Sequence, residues 1–97
     1  MSDFKLTLYG LSTDPQELAE GIIETYGEDY DAALGDFTAE RVGETVEVVA
    51  KNVAKGDMRV LREDLYRDFG DEDGTMMIRA ASGSGSQWYS TDLDEDD

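Results

Sequence analysis

Aspartate and glutamate supply 24 residues of this chain and lysine and arginine only 8, so a net charge of −16 rests on 97 residues. Self-repulsion on that scale weakens any compact state in dilute buffer. The fold must keep its acids at the surface, and it suits a solvent in which salt screens them. In molar salt the Debye length falls to roughly 3 Å. Only three of the cations are lysines, Lys5, Lys51 and Lys55. This composition reads as that of a protein from a salt-loving archaeon, or from a virus that infects one.

A chain this short makes one domain at most. Its hydrophobic share of 39% is low for a globular protein but too high for a wholly disordered one. Cysteine and histidine are absent. Disulfides, thiolate nucleophiles and imidazole bases are therefore excluded, and a zinc site would need oxygen ligands alone. The opening MSDFKLTLYG does not read as a signal peptide. No apolar run approaches the roughly 20 residues that span a bilayer. The expected location is the cytoplasm, or a virion if the chain is viral. Negative charge argues against anionic membranes and nucleic acid as general partners.

Residues 4–9 alternate, with Phe4, Leu6 and Leu8 on one side and Lys5, Thr7 and Tyr9 on the other, which predicts a half-buried strand. Thr13 or Asp14 then caps a helix with Pro15 at its first position. Leu18, Ala19, Ile22, Ile23 and Tyr26 recur at helical spacing up to Gly27. A second short helix is expected over residues 29–34.

Val42, Val46, Val49 and Val53 step by four, three and four, the spacing of one helical stripe. The stretch 45–49 is rich in β-branched residues and could be strand, but the spacing favours a helix from Thr38. Lys55-Gly56-Asp57 reads as a stop followed by a new N-cap. Met58, Leu61, Leu65 and Phe69 then form a second stripe, unless Gly56 is an interior glycine of one long kinked helix. Residues 71–74 are acidic and end in glycine, a turn. Residues 75–81 and 87–91 read as strands joined by a flexible Ser-Gly loop, and residues 92–97 as a solvated acidic tail.

The expected architecture is α+β, a small antiparallel sheet of about three strands packed on two or three helices. Residues 1–91 form the domain and 92–97 the tail. The expected core is Phe4, Leu6, Leu8, Leu18, Ile22, Val42, Val46, Val49, Val53, Leu61, Leu65 and Ile78.

Motifs for chemistry fail on inspection. With Gly74 at position six of an EF-hand loop, positions one and twelve become Phe69 and Ala80, so both anchoring carboxylates are missing. Residues 82–86 lack the Gly-Lys-Ser/Thr ending of a phosphate loop and the glycine spacing of a nucleophile elbow. Acids are so abundant that no carboxylate pair stands out. No residue set names a nucleophile, a base and an oxyanion site. No cofactor or metal site is expected, although strong salt leaves room for loosely associated cations.

Charge is unevenly spread. Residues 1–36 hold nine acids and one base, whereas residues 37–67 hold six of each. On a continuous helix Arg41, Lys51, Lys55, Arg59 and Arg62 would share one face opposite the valine stripe. That face is either solvated and paired with nearby glutamates or a docking face, for an acidic surface of another copy or for nucleic acid, and a net charge of −16 favours protein over nucleic acid. Trp88 and Tyr89 fall on opposite faces of an expected edge strand, where aromatic side chains suit either an interface or, equally, a core position plus a surface tyrosine. These seven residues are the candidate partner-binding set.

The functional expectation is a non-enzymatic interaction or structural module, a small subunit of a larger assembly such as a virion connector or tail component. The alternatives are a small cytoplasmic regulatory or ligand-binding domain and an acidic mimic of nucleic acid.

Overall fold

The computed structural model describes residues 2–28, 37–70, 74–84, 87–91 and 93. The expected short helix over 29–34, the acidic turn residues 71–73, Gly85 and Ser86 of the loop, and acidic residues 92 and 94–97 lie outside them.

The element order is β1 (Ser2–Tyr9), α1 (Pro15–Tyr26), β2 (Phe37–Val42), β3 (Thr45–Val53), α2 (Lys55–Phe69), β4 (Met77–Ser84) and β5 (Gln87–Ser90). The five strands form one antiparallel sheet in the order β2-β3-β1-β4-β5. The protein is α+β as expected, with five strands and two helices among the described residues. The first six elements are two interleaved split β-α-β units, the β-α-β-β-α-β connectivity of ferredoxin-like folds, with β5 added at one edge. The two crossovers run in opposite directions across the sheet between oppositely directed strands. Right-handed connection therefore sends both helices to one face.

That face holds the core. Phe4, Leu6 and Leu8 of β1, Val46, Val48 and Ala50 of β3, Phe37 of β2 and Ile78 and Ala80 of β4 are buried in one cluster. Leu18, Ala19, Ile22 and Tyr26 of α1 and Met58, Leu61 and Leu65 of α2 pack onto it. Each large apolar side chain buried this way contributes roughly 1.5–3 kcal/mol. The helices also touch each other: the rings of Tyr26 and Phe69 meet edge to face with centroids 6.2 Å apart. A side chain at Gly21 would press on the Phe69 ring at 3.3 Å.

The helix expected from Thr38 through Val53 is instead the β2–β3 hairpin. Spacing of three and four is shared by a helical stripe and by valines scattered over both faces of a strand. Here Val46, Val48 and Ala50 alternate inward, while Val49 and Val53 are only partly buried and Val42 is 45% exposed. β-Branched side chains are stiff and crowd a helix but fit a pleated sheet. Gly43, at φ 61°, opens the two-residue turn in the manner of a type II′ hairpin. The Thr45 hydroxyl donates to the Val42 carbonyl at 2.8 Å across the turn. Val48 and Ala50 thus belong to the core, and Val42, Val49 and Val53 do not belong to its buried centre.

Near the end of β3 the register with β1 shifts between Ser2 and Phe4, a bulge that places Asn52 at φ 57°. Asparagine tolerates this left-handed conformation better than most residues. Its N–H donates to Asp3 Oδ1 at 2.9 Å, which replaces the interrupted ladder bond.

Helix α1 starts as expected, with Asp14 Oδ1 accepting from the Gln16 N–H at 3.2 Å and Pro15 following. Helix α2 starts two residues before the expected Asp57 cap. Its N-cap is Ala54, which offers no side-chain acceptor, and Gly56 and Asp57 fall in its first turn. A strand and a helix meet here within two residues, so the break expected at Gly56 lies before Lys55. Leu93, inside the segment expected to be a solvated tail, is fully buried in the core.

Candidate interaction surfaces

Period-two alternation that sends Phe4, Leu6 and Leu8 to the core sends Lys5, Thr7 and Tyr9 to the opposite face of the central strand. No described element covers that face. The register arranges it in rows across the sheet. Val42 lies beside Thr45, and Tyr9 beside Met77. Glu40 lies opposite Glu47, which is beside Thr7 and then Arg79. Thr38 lies opposite Val49, which is beside Lys5 and then Ala81.

Two cation–aromatic pairs stiffen this face. Lys5 Nζ stands 5.4 Å from the Trp88 ring centroid and 3.4 Å from Glu47 Oε1, so one ammonium is held between an indole and a carboxylate. Arg79 Cζ stands 5.4 Å from the Tyr9 ring centroid. Such contacts hold a long cationic side chain against a ring face and lower the entropy it has left to lose on binding. Met77, 48% exposed, and Val42 add apolar area at the end nearest the β2–β3 turn.

A second surface lies between α1 and the edge strand β2. It is a groove of about 440 Å³ with Ala19, Ile23 and Ala39 along its floor. Glu20, Glu24 and Glu40 line it with Arg41, whose Nε donates to the Gly43 carbonyl at 3.0 Å.

The five cations expected on one helical face are dispersed. Arg41 is on β2, facing the helix side of the sheet, and Lys51 is exposed at the β3 bulge. Lys55, Arg59 and Arg62 share α2, are half-buried, and each already has a partner. The stripe fails because its first two members belong to strands. Trp88 and Tyr89 do sit on an edge strand and on opposite faces. Trp88, opposite Gly83, joins the uncovered face, while Tyr89, opposite Ser82, is 66% exposed on the helix side. Residue-by-residue reading missed Glu47, Arg79 and Met77. The outward set Lys5, Thr7 and Tyr9 pointed to this face, but its neighbours depend on a register that only the folded sheet defines.

The two sheet edges differ. On the β5 side, the Tyr66 hydroxyl accepts from the Ile78 N–H at 2.9 Å, and the Thr91 N–H donates to the Ala80 carbonyl at 3.2 Å. These bonds occupy the stretch of β4 that the short β5 does not reach. On the β2 side, the two-residue turn makes Val42 and Thr45 the hydrogen-bonded pair that closes the hairpin. Alternation then turns Glu40 and Thr38 inward to β3 and aims the N–H and C=O of Ala39 and Arg41 away from it.

Among the described residues the strongest electrostatic perturbation lies elsewhere. The Tyr26 hydroxyl donates to Asp68 Oδ2 at 2.6 Å, and Arg67 approaches Asp68 Oδ1 at 3.2 Å. Burial and then this bond push the Tyr26 phenol far above its usual range. The Tyr26 bond, followed by Arg67, holds the Asp68 carboxyl below the usual carboxylate range. This group ties helix ends together. No three acids among the described residues come together as a metal site. No helix among them is long and apolar enough to cross a membrane.

No family model, curated protein or solved structure matches this chain.

Proposed function

We propose that this chain is a non-enzymatic protein-interaction module, working in concentrated salt as a small cytoplasmic or virion subunit of a larger assembly. The observation that carries the reading is the uncovered sheet face on which Lys5 and Arg79 hold Trp88 and Tyr9 in place beside exposed Met77. A face that combines apolar side chains with Lys5 and Arg79 already held against aromatic rings loses little side-chain entropy on meeting another protein. The charge of −16 and the Glu40–Glu47 pair make the same face a poor receiver of phosphate.

Site-specific photo-crosslinking in source cells tests this. A photoreactive residue at Met77 should give an adduct of one discrete mass. The same residue at Val60, which is 50% exposed on α2, should not. Absence of an adduct at Met77, or equal crosslinking from both positions, contradicts the reading.

A further inference from the structure

We infer that the β2 edge pairs with the β2 edge of a second copy, joining two five-stranded sheets and seating Arg41 of each copy in the α1–β2 groove of the other. This rests on the reading of the chain as an interaction module and names one of its partners.

Strand geometry comes first. An edge strand offers unpaired backbone groups to any strand of matching register. The outward groups here belong to Ala39 and Arg41, with Glu40 between them. A two-fold axis through Glu40 sets Ala39 of one copy opposite Arg41 of the other, and the reverse. Both are outward-facing positions, so each pair exchanges two hydrogen bonds. A closed two-fold pairing consumes both β2 edges and leaves the short β5 of each copy at the two ends of the joined sheet. The other end of the sheet is already managed by Tyr66, Thr91 and β5.

Side chains agree with that register. Ala39 and Arg41 both point to the helix side, as their pairing with buried Val48 and Val46 requires. Arg41 of the second copy therefore emerges directly opposite Ala39, on the groove floor, with Glu20 and Glu24 beside it. The small side chains Ala19 and Ala39 leave room for the arginine stem, and the two carboxylates meet its guanidinium. Groove and arginine thus complement each other in charge and shape, and the two-fold supplies the contact twice. A planar guanidinium can meet two carboxylate oxygens at once, which lysine cannot do as well.

The opposite face adds a condition. Glu40 meets its own symmetry copy there, with Glu47 behind each, giving four carboxylates in a row. Directly opposed strand residues have Cβ atoms about 5 Å apart, and like charges at that spacing oppose pairing. Screening over roughly 3 Å in molar salt removes most of that exposed repulsion, whereas close guanidinium–carboxylate hydrogen bonds inside the groove are screened much less. Pairing is therefore salt-dependent in the direction that the composition of the chain suits.

Size-exclusion chromatography with light scattering in molar KCl tests this. Wild-type protein should have the mass of two chains and revert to one in dilute buffer. Arg41→Glu should weaken pairing about 30-fold, the effect of losing an interfacial arginine anchor. Combining it with Glu20→Arg and Glu24→Arg should restore the dimer. Ala39→Pro should abolish pairing, because the lost N–H faces outward and no bond to β3 is broken. Circular dichroism checks that each variant is folded. If Arg41→Glu fails to fold, Ala39→Pro and Glu40→Gln carry the test, the latter pairing at lower salt. A wild-type dimer indifferent to Arg41→Glu and Ala39→Pro overturns the β2 assignment, with the interaction-module reading still decided by crosslinking at Met77. A single-chain mass in molar KCl at millimolar chain concentration also overturns it and leaves the groove to an extended basic peptide.

Discussion

Tyr26 and Asp68, 42 residues apart in sequence, join the ends of the two helices through a 2.6 Å hydrogen bond from phenol to carboxylate. The Tyr26 ring also packs edge to face on Phe69. One side chain thereby fixes the angle between α1 and α2 and the shape of the layer beneath the sheet. Tyr26→Phe keeps the ring and removes the bond, so it should cost about 1 kcal/mol at neutral pH.

The pH dependence of that bond follows from its two partners. The Asp68 carboxyl is depressed in the folded state, so its contribution is present above the unfolded carboxylate pKa and is lost as pH falls through the folded value. The Tyr26 phenol is raised, so its contribution is fully present below the ordinary tyrosine pKa and is lost as pH rises from there through the raised folded value. Urea midpoints of wild type and Tyr26→Phe should differ most near neutrality and converge in acid. A constant difference across pH would show that the bond contributes nothing specific.

Leu93 is buried within an acidic segment. Leu93→Ala should destabilise the fold by about 2–5 kcal/mol, the range for a large core side chain cut to alanine. Chemical denaturation in molar KCl measures it, and a change near zero would place Leu93 outside the core.

The start of α2 is poorly capped. Ala54→Ser adds the side-chain acceptor that the N-cap lacks and should stabilise by about 1 kcal/mol. Gly56→Ala should add roughly 0.5–1 kcal/mol, since its backbone is helical and a methyl there meets nothing within 4 Å. Thermal midpoints of the single and double variants check both.

Glu40 and Glu47 oppose each other across β2 and β3, and Lys5 reaches only Glu47. Glu40→Lys should stabilise the monomer by roughly 0.2–1 kcal/mol in dilute buffer. The gain should shrink toward zero in molar KCl. An unchanged gain in high salt would mean that it is not electrostatic.

Elements with one clean period were legible in the residues. Strand alternation in Phe4, Leu6 and Leu8 and helical spacing in Leu18, Ile22 and Tyr26 each admit one reading, and the structure agrees. Residues 38–53 admit two. Val42, Val46, Val49 and Val53 mimic a helical stripe, while Val46, Val48 and Ala50 form the strand face that is actually buried. The deciding signal was local: Gly43 between two β-favouring runs, a hairpin turn in the type II′ manner. Missing it hid two strands and placed Arg41 and Lys51 on a helix. The candidate site was legible only in part for a related reason. Arg41 and Trp88 were identifiable as residue types, but Glu20 and Arg41 come to line one groove from a helix and a strand, and Lys5 meets Trp88 across three strands. Such contacts depend on strand order, which alternation within a segment does not encode.

The most direct measurement is amide hydrogen exchange of Ala39 and Arg41 in molar KCl at low and high chain concentration. Pairing through β2 predicts that both amides exchange readily when dilute and become protected together as concentration rises, while the Glu40 amide, bonded inward to β3, stays protected throughout. Equal exchange of Ala39 and Arg41 at both concentrations would contradict it.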